Sequence, residues 1–209
     1  MRITWSLAVL AASMLSGLSW AETAPEHKLA AALQNPKAVE MAVDAGHKAS
    51  FFCGNCHGPD GNSIGGEVPN LAGQNPAYLL EQIRKFGSGQ RKNEFMQKLI
   101  KVLSDDDKVN IALYYANQKV KGQGQGDSAL LARGYEIFSK NCFRCHGDQG
   151  RGNEKIARIA GQQVPYLSLT LTRYRDHTGE RYDPLMATNT AMLKDGDIRA
   201  LAEYVSRLK

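Results

Sequence analysis

The sequence contains few cysteines, and this scarcity limits the folds open to it. Four of its 209 residues are cysteine, and all four fall into two short Cys-x-x-Cys pairs. A disulfide within such a pair closes a small, strained ring, so the chain has no long-range disulfide staple. The sequence also lacks a convincing run of alternating apolar and polar residues, the pattern of a half-buried strand. These absences disfavour a disulfide-stapled domain and predict an all-α fold.

Long apolar runs and basic aromatic patches are missing as well. Beyond the first 21 residues, no segment has the roughly 20 apolar residues that a bilayer span needs. We therefore expect the mature chain to be soluble or peripherally bound to a membrane. The formal net charge is +5, but no cluster of Lys and Arg is interleaved with aromatic residues. The charge therefore does not predict nucleic acid as a partner.

The N-terminus has the pattern of an export signal. Arg2 precedes an apolar stretch from Trp5 to Leu18, and Ser19–Ala21 forms a small-x-small cleavage site. We expect cleavage after Ala21, because an uncleaved membrane anchor would need a longer run with fewer serines. Residues 22–41 follow as an N-terminal extension to which the sequence assigns no role.

Each cysteine pair is followed directly by a histidine, so the pattern Cys-x-x-Cys-His occurs at residues 53–57 and 142–146. This is the spacing of covalent c-type haem attachment, in which two thiols form thioethers to the vinyl groups and the next residue supplies an axial imidazole. Two copies, with no cysteine left over, predict two haem c groups. The attachment residues are Cys53, Cys56 and His57 for one haem, and Cys142, Cys145 and His146 for the other.

Three other uses of these cysteines fit the sequence less well. A thioredoxin-like redox pair belongs beside a strand–helix–strand unit, whereas both motifs lie among helical and glycine-rich segments. A four-thiolate zinc site would join two pairs much farther apart than in a zinc ribbon, and zinc does not require a histidine after each pair. Structural disulfides are disfavoured by the strain of a two-residue loop.

The sequence repeats itself at an offset of 88 to 90 residues. The matching pairs are Gly46 and Gly134, Gln74 and Gln162, Tyr78 and Tyr166, Arg91 and Arg181, Met96 and Met186, and Tyr114 and Tyr204. An ordered series of matches implies two copies of one domain. We assign domain 1 to residues 42–120, a glycine-rich linker to 121–127 and domain 2 to 128–209.

Helix signals recur in both domains. First helices are predicted at residues 38–52 and 128–140, each leading into a haem motif, and prolines open second helices at Pro76 and Pro165. Closing helices are predicted after Ser104, with Asp107 in a capping-box position, and after Asp195 as the cap. The apolar stripes that these closing helices should bury are Val109, Ala112, Leu113 and Ala116, and Ile198, Leu201, Ala202 and Val205.

The second axial ligand sets the chemistry of each iron. A thioether raises the reduction potential, a second histidine lowers it, and an open position permits catalysis. Met96 is the only methionine between the first motif and the linker, and we expect it in a loop that folds over the haem. Simple packing of Met96 in the core is the alternative, but the repeat argues against it.

In the second domain, Met186 keeps the register of Met96, and Met192 does not. We therefore predict iron ligation by His57 and Met96, and by His146 and Met186. Met192 should instead pack in the core against the closing helix. Three further histidines, His27, His47 and His177, are expected to be solvated, so bis-histidine ligation is disfavoured.

Together these motifs resemble the class I c-type cytochromes and, through the tandem duplication, the dihaem cytochrome c4 family. The resemblance covers residues 42–209 and implies two tandem class I cytochrome c-like domains in a pseudo-twofold arrangement. It further implies a periplasmic, non-enzymatic carrier of single electrons. The expected donor is a quinol-cytochrome c oxidoreductase or a dehydrogenase, and the expected acceptor is a terminal oxidase or reductase.

The resemblance also assigns roles to three residues near the haems. It implies that the carbonyl of Pro69 accepts a hydrogen bond from His57 Nδ1, which would orient the imidazole. The aligned residue of the second domain is Ala157, which keeps a backbone acceptor without the rigidity of proline. Arg91 and Arg181 are implied partners of haem propionates, the alternative being solvated surface arginines.

Two other function classes remain open at this point. One is a dihaem enzyme, such as a peroxidase or a sulfur-compound dehydrogenase, which needs one haem with a labile or unusual ligand. The other is an electron-carrying subunit fixed within a larger assembly, for which residues 22–41 could serve as a docking arm.

Overall fold

The computed structural model describes residues 24–122, the first half, and residues 126–209, the second half, and neither range contains a strand. The helices of the first half are α1 (Ala24–Leu33), α2 (Pro36–Ala49), α3 (Phe51–His57), α4 (Pro76–Gly87), α5 (Glu94–Lys101) and α6 (Asp105–Ala116). Those of the second half are α7 (Ser128–Ile137), a π-helical turn (Phe138–Cys142), α8 (Phe143–His146), α9 (Val164–Arg175), α10 (Pro184–Thr190) and α11 (Asp195–Val205). The all-α prediction is confirmed. The export signal predicted at residues 1–21 lies outside the described residues, as do residues 123–125 of the predicted linker.

In each half the first long helix crosses the closing helix at a glycine. A Cβ atom on Gly46 of α2 would lie 2.1 Å from the carbonyl oxygen of Asn110 in α6. A Cβ atom on Gly134 of α7 would lie 2.2 Å from the carbonyl oxygen of Ala200 in α11. Neither crossing has room for a side chain, so the two matched glycines are required by the same close approach of two helices.

The predicted closing helices form and bury the expected stripes except at Ala116, which is half-buried. Val109, Ala112 and Leu113 of α6 are buried, as are Ile198, Leu201, Ala202 and Val205 of α11. Ser104 caps α6 as predicted: its Oγ accepts from Asp107 N–H at 3.1 Å, and the Asp107 carboxylate accepts from Ser104 N–H at 3.3 Å. The prediction for α11 was wrong, because its N-cap is Lys194 and Asp195 is the first helical residue.

The helices that carry the haem motifs differ from the prediction. The helix predicted over residues 38–52 is interrupted at Ser50, whose Oγ donates to His47 O at 3.1 Å, so α2 ends at Ala49. The separate helix α3 then carries the first motif. In the second half, α7 ends at Ile137 rather than at residue 140, and the π-helical turn leads into α8. The two motifs are therefore reached by different backbone paths.

Within residues 22–41, which the sequence left without a role, the described residues 24–41 supply α1 and the start of α2. Leu29 of α1 is only 3% exposed and belongs to the same core as Leu80, Val109 and Leu113. Lys28 Nζ forms an ion pair with Asp106 of α6 at 2.5 Å. The extension is thus part of the packed first half, and no helix of the described second half corresponds to it. Among the residues that the structure describes, no helix has the length and apolar character of a membrane span.

Candidate haem sites

Both haem motifs open into one continuous cavity of about 480 Å³ between the two halves. Its lining includes every residue that the sequence singled out for haem binding, namely Cys53, Cys56, His57, Pro69, Arg91, Met96, Cys142, Cys145, His146, Arg181 and Met186. Most of the remaining lining is apolar, with Leu79, Phe86 and Leu99 on the first side and Leu167, Leu171 and Leu201 on the second. The fold therefore gathers two equivalent sets of ligand side chains around apolar walls.

The two histidines are held in matching ways. His57 Nδ1 lies 2.9 Å from the carbonyl oxygen of Pro69, and His146 Nδ1 lies 2.9 Å from that of Ala157. A carbonyl only accepts hydrogen bonds, so Nδ1 carries the proton and leaves Nε2 as the lone-pair donor to a metal. Both rings are buried, and burial lowers the pKa of both imidazoles against the opposing effect of their backbone hydrogen bonds. This tautomer suits axial ligation.

All four cysteines are free thiols. None of the four forms a disulfide, and burial raises the pKa of Cys53 and raises that of Cys142 to about 11. Within the described ranges, no group of three or more His, Cys, Asp or Glu side chains could hold a metal ion. The described residues therefore do not form the disulfide or zinc sites considered above.

Met96 and Met186 occupy equivalent positions in short helices, so the expectation that Met96 lies in a loop was wrong. Asn93 caps α5 and accepts from Met96 N–H at 3.0 Å, while Asp183 caps α10 and accepts from Met186 N–H at 3.0 Å. The Asn and Asp caps were signals in the sequence that could have located both helices. Each methionine is the third residue of its helix and lines the cavity.

Met192 does not pack in the core as predicted, because it is 89% exposed. It lies between α10 and α11, outside the cavity lining. The other histidines are also outside that lining. His47 contacts the ring of Tyr114 at a centroid distance of 5.3 Å, and His177 adopts a positive φ of 53° in the turn after α9.

Arg91 and Arg181 meet where the two halves join, forming an isolated antiparallel bridge. Arg181 donates to the hydroxyls of Tyr166 and Tyr78, both at 2.6 Å, and Arg91 donates to the Tyr166 hydroxyl at 3.0 Å. Burial opposes ionisation of Tyr166, yet the two guanidinium groups hold its pKa at about 7. Neither arginine has a carboxylate within ion-pair distance among residues 24–122 and 126–209.

Two guanidinium groups on the cavity wall, with no carboxylate partner among the described residues, are suited to bind carboxylates such as haem propionates. Together with the buried Nδ1-protonated imidazoles and the apolar walls, they show that the residues present fit haem c. The two tyrosines were visible in the repeat as matched residues, but sequence reasoning gave them no role. Their contribution depends on contacts between the halves that a single-domain pattern does not reveal.

Sequence reasoning also gave no role to the glutamines of the repeated Ala-Gly-Gln. Gln162 binds the backbone of Asn70: its Oε1 accepts from Asn70 N–H at 2.7 Å, and its Nε2 donates to Asn70 O at 2.9 Å. Gln74 binds the backbone of Arg158 in the same way, at 2.7 and 2.8 Å. Asn70 and Arg158 are equivalent in the repeat. Each half therefore makes the same glutamine-to-backbone contact with the other, as an approximate twofold axis requires.

Comparisons with known proteins agree with this geometry. The family model for cytochrome c matches residues 131–209. Cytochrome c4 from Pseudomonas aeruginosa is 34% identical, with the alignment covering 78% of this chain and 87% of that protein. A thiosulfate dehydrogenase electron acceptor from Stutzerimonas stutzeri is 28% identical over 99% of this chain and 95% of that protein.

A solved structure is similar over most of its length. The crystal structure of reduced recombinant cytochrome c4 from Pseudomonas stutzeri superposes with a TM-score of 0.74 at 33% identity, covering 80% of this chain and 98% of that one. The fold is thus that of two tandem cytochrome c-like units, in agreement with the expectation from the repeat. On this evidence, the chain belongs to the cytochrome c4 family and is an electron-transfer cytochrome with covalently bound haem c.

Proposed function

We propose that this protein is an exported, periplasmic dihaem cytochrome that carries single electrons through two His/Met-ligated haems. The observation that carries the proposal is the duplication of a complete ligand set on one cavity. Each half supplies two thiols, a histidine fixed through Nδ1 and a methionine at the third position of a capped helix. We assign the two carrier domains to residues 42–120 and 128–209, with residues 24–41 packed against the first of them.

Each residue set has a distinct role in this proposal. The thiol pairs Cys53/Cys56 and Cys142/Cys145 would anchor the two haems by thioether bonds. His57 with Met96, and His146 with Met186, would be the axial ligands. Arg91 and Arg181 would pair with propionates, and the Pro69 and Ala157 carbonyls would orient the imidazoles. Haem c supplies the reversible one-electron couple, and a histidine–methionine ligand pair sets that couple at a high potential.

The ligand arrangement favours a carrier over an enzyme. A protein ligand on each face of the iron would leave no open position for oxygen or peroxide. The apolar lining of the cavity keeps water from the ligands and disfavours the extra charge of the oxidised state. The described residues would therefore bind a redox centre and tune its potential.

The partners follow from this role. We propose a quinol-cytochrome c oxidoreductase or a dehydrogenase as the electron donor, and a terminal oxidase or reductase as the acceptor. The similarity to a thiosulfate dehydrogenase electron acceptor, which spans nearly the whole chain, favours a sulfur-compound dehydrogenase as one candidate donor. Comparing the rate of this protein's reduction by such a dehydrogenase with the rate of its reduction by a quinol-oxidising complex would show which of the two is the donor.

A spectroelectrochemical titration of the purified protein tests the carrier function. We expect two covalently bound haems per chain, two one-electron transitions, and a methionine-to-iron charge-transfer band from both haems. Cyanide and carbon monoxide at low concentration should not bind. Rapid ligand binding at one haem would instead indicate a dihaem enzyme, and a single haem per chain would contradict the proposal.

Replacing Met186 tests the methionine assignment. Met186→His should lower the potential of one haem by a large fraction of the roughly 0.8 V range that axial ligation spans. Met192→Leu is the control and should leave both potentials unchanged, because Met192 is exposed outside the cavity. A large shift in the Met192 variant and none in the Met186 variant would refute the assignment.

A further inference from the structure

One peptide group in each half links an axial histidine to a glutamine of the other half. In the first half this group consists of the Pro69 carbonyl and the Asn70 N–H. Its oxygen accepts from His57 Nδ1 at 2.9 Å, and its N–H donates to Gln162 Oε1 at 2.7 Å. The result is an unbroken line of hydrogen bonds from the histidine of one half to a side chain of the other.

At the second site the roles of the two halves are reversed: the histidine comes from the second half and the glutamine from the first. The Ala157 carbonyl accepts from His146 Nδ1 at 2.9 Å, and the adjoining Arg158 N–H donates to Gln74 Oε1 at 2.7 Å. Both glutamines are only 7% exposed. Each also donates through Nε2 to the next carbonyl, which fixes the position of its amide. The two lines are therefore equivalent and buried.

We propose that Gln162 and Gln74 are positioning residues that tune the haem of the opposite half through this shared peptide group. Hydrogen bonds in series polarise one another, so an acceptor on the peptide N–H makes its carbonyl a stronger acceptor. A stronger carbonyl acceptor makes the imidazole more basic, and a more basic ligand favours the ferric state. Gln162 thus lowers the potential of the first haem, and Gln74 lowers that of the second.

The consequence is reciprocal control between the halves. The potential of each haem depends on contact with the other half, because a required hydrogen bond comes from across the interface. This arrangement explains the repeated Ala-Gly-Gln of the sequence. The glutamine of each copy binds the peptide group whose carbonyl accepts from the histidine of the other half. The inference rests on the proposed function, since it takes His57 and His146 as axial ligands.

The test replaces each glutamine with methionine, which keeps the length of the side chain and removes both of its hydrogen bonds. Gln162→Met should raise the potential of the first haem, with a roughly three- to tenfold change in its oxidised-to-reduced ratio, as expected for one hydrogen bond. That change corresponds to about 30 to 60 mV at about 59 mV per tenfold. Gln74→Met should raise the potential of the second haem by a similar amount.

Gln118→Met is the matched control. Gln118 is half-buried and donates to Tyr114 O within its own half at 3.0 Å, and it is a member of neither histidine line. It should shift neither potential. The potentials are assigned to the two halves with Met96→His and Met186→His, each of which lowers one of them.

A second measurement follows the Nδ1 protons of the two axial histidines by nuclear magnetic resonance in the ferrous protein. In Gln162→Met the His57 proton should move upfield and exchange faster, while the His146 proton should not change. A shift confined to the half that carries the substitution, an equal shift in both halves, or no shift would overturn the inference. A missing methionine-to-iron band in the unsubstituted protein would instead contradict the proposed function.

Discussion

The two halves of the molecule carry the same set of candidate haem-binding residues but support it with different structures. Both carry a Cys-x-x-Cys-His motif, a histidine bound to a backbone carbonyl and a methionine at the third position of a capped helix. The first half adds α1, and it reaches its motif through a break at Ser50. The second half has no such helix among its described residues and uses a π-helical turn instead. The ligand geometry is thus retained while the surrounding structure varies.

The features that both halves share indicate what the binding of a haem would need. The histidine carbonyl contacts, the glycine crossings and the exchanged glutamine contacts occur in both halves with distances that agree within about 0.1 Å. The features that differ lie around this shared set: α1 packs into the core of the first half, and the π-helical turn leads into the second motif. We therefore expect substitutions in the shared set to change redox properties, and substitutions in the unshared features to change the stability of one half.

The largest expected effect is the loss of one haem. Replacing Cys142 and Cys145 with serine removes both thioether bonds of the second site, so covalent haem should fall from two to one per chain. The matched variant replaces Cys53 and Cys56. The first half contains the additional core contacts of α1, so we expect it to lose less helical signal without haem than the second half does. Haem quantification and circular dichroism measure the two outcomes.

Two haems retained covalently in either variant would contradict the attachment roles. Equal loss of helical signal in both variants would show that α1 does not make the first half less dependent on its cofactor. Comparing the two variants therefore distinguishes haem attachment, which both halves share, from the stabilising contacts of α1, which only the first half has.

The sequence alone was sufficient to predict some features of the structure. The cysteine motifs, the glycine pair Gly46 and Gly134, and the Ser104 cap each depend on local spacing or on an internal match, which are both readable from one chain. The fold class followed from the same patterns. Local reasoning failed where two signals competed, as at Ser50: the helical apolar pattern continues through this residue, but its side chain binds the backbone carbonyl of His47.

Interactions between the halves could not be predicted from the sequence. Gln74, Gln162, Tyr78 and Tyr166 were visible as matched pairs, but their partners lie about 75 to 103 positions away in the chain. Nothing in a repeat shows whether its copies contact each other, or through which face. The burial of Leu29 in the first core was not predicted for a related reason. A short segment outside the repeat gives no sign of which core it packs into.

A smaller effect is expected from Leu29, the residue by which α1 enters the first core. Leu29→Ala should cost about 2–5 kcal/mol, the range for removing a buried leucine side chain. Leu33→Ala in the same helix is the control, since Leu33 is 49% exposed. Hydrogen exchange should become faster in α4 and α6 and stay unchanged in α9 and α11. Equal acceleration in both halves would show that they do not respond independently.

The smallest effect concerns the caps of the two closing helices. In α6, Ser104 Oγ accepts from Asp107 N–H and the Asp107 carboxylate accepts from Ser104 N–H, whereas α11 has only the second type of bond, from Lys194 N–H to Asp197 at 3.2 Å. Ser104→Ala should therefore destabilise the first half by about 1 kcal/mol.

The reverse change should supply the missing bond to the second half. Lys194 already has the extended backbone of an N-cap, with φ −84° and ψ 163°, close to the −65° and 163° of Ser104. Lys194→Ser places a hydroxyl where it can accept from the first turn of α11, and the expected gain is about 1 kcal/mol relative to Lys194→Ala. The alanine variant is the required reference, because removing a lysine from a helix N-terminus is itself slightly favourable. Chemical denaturation of the three proteins measures the difference, and identical stability of the serine and alanine variants would show that the cap does not form.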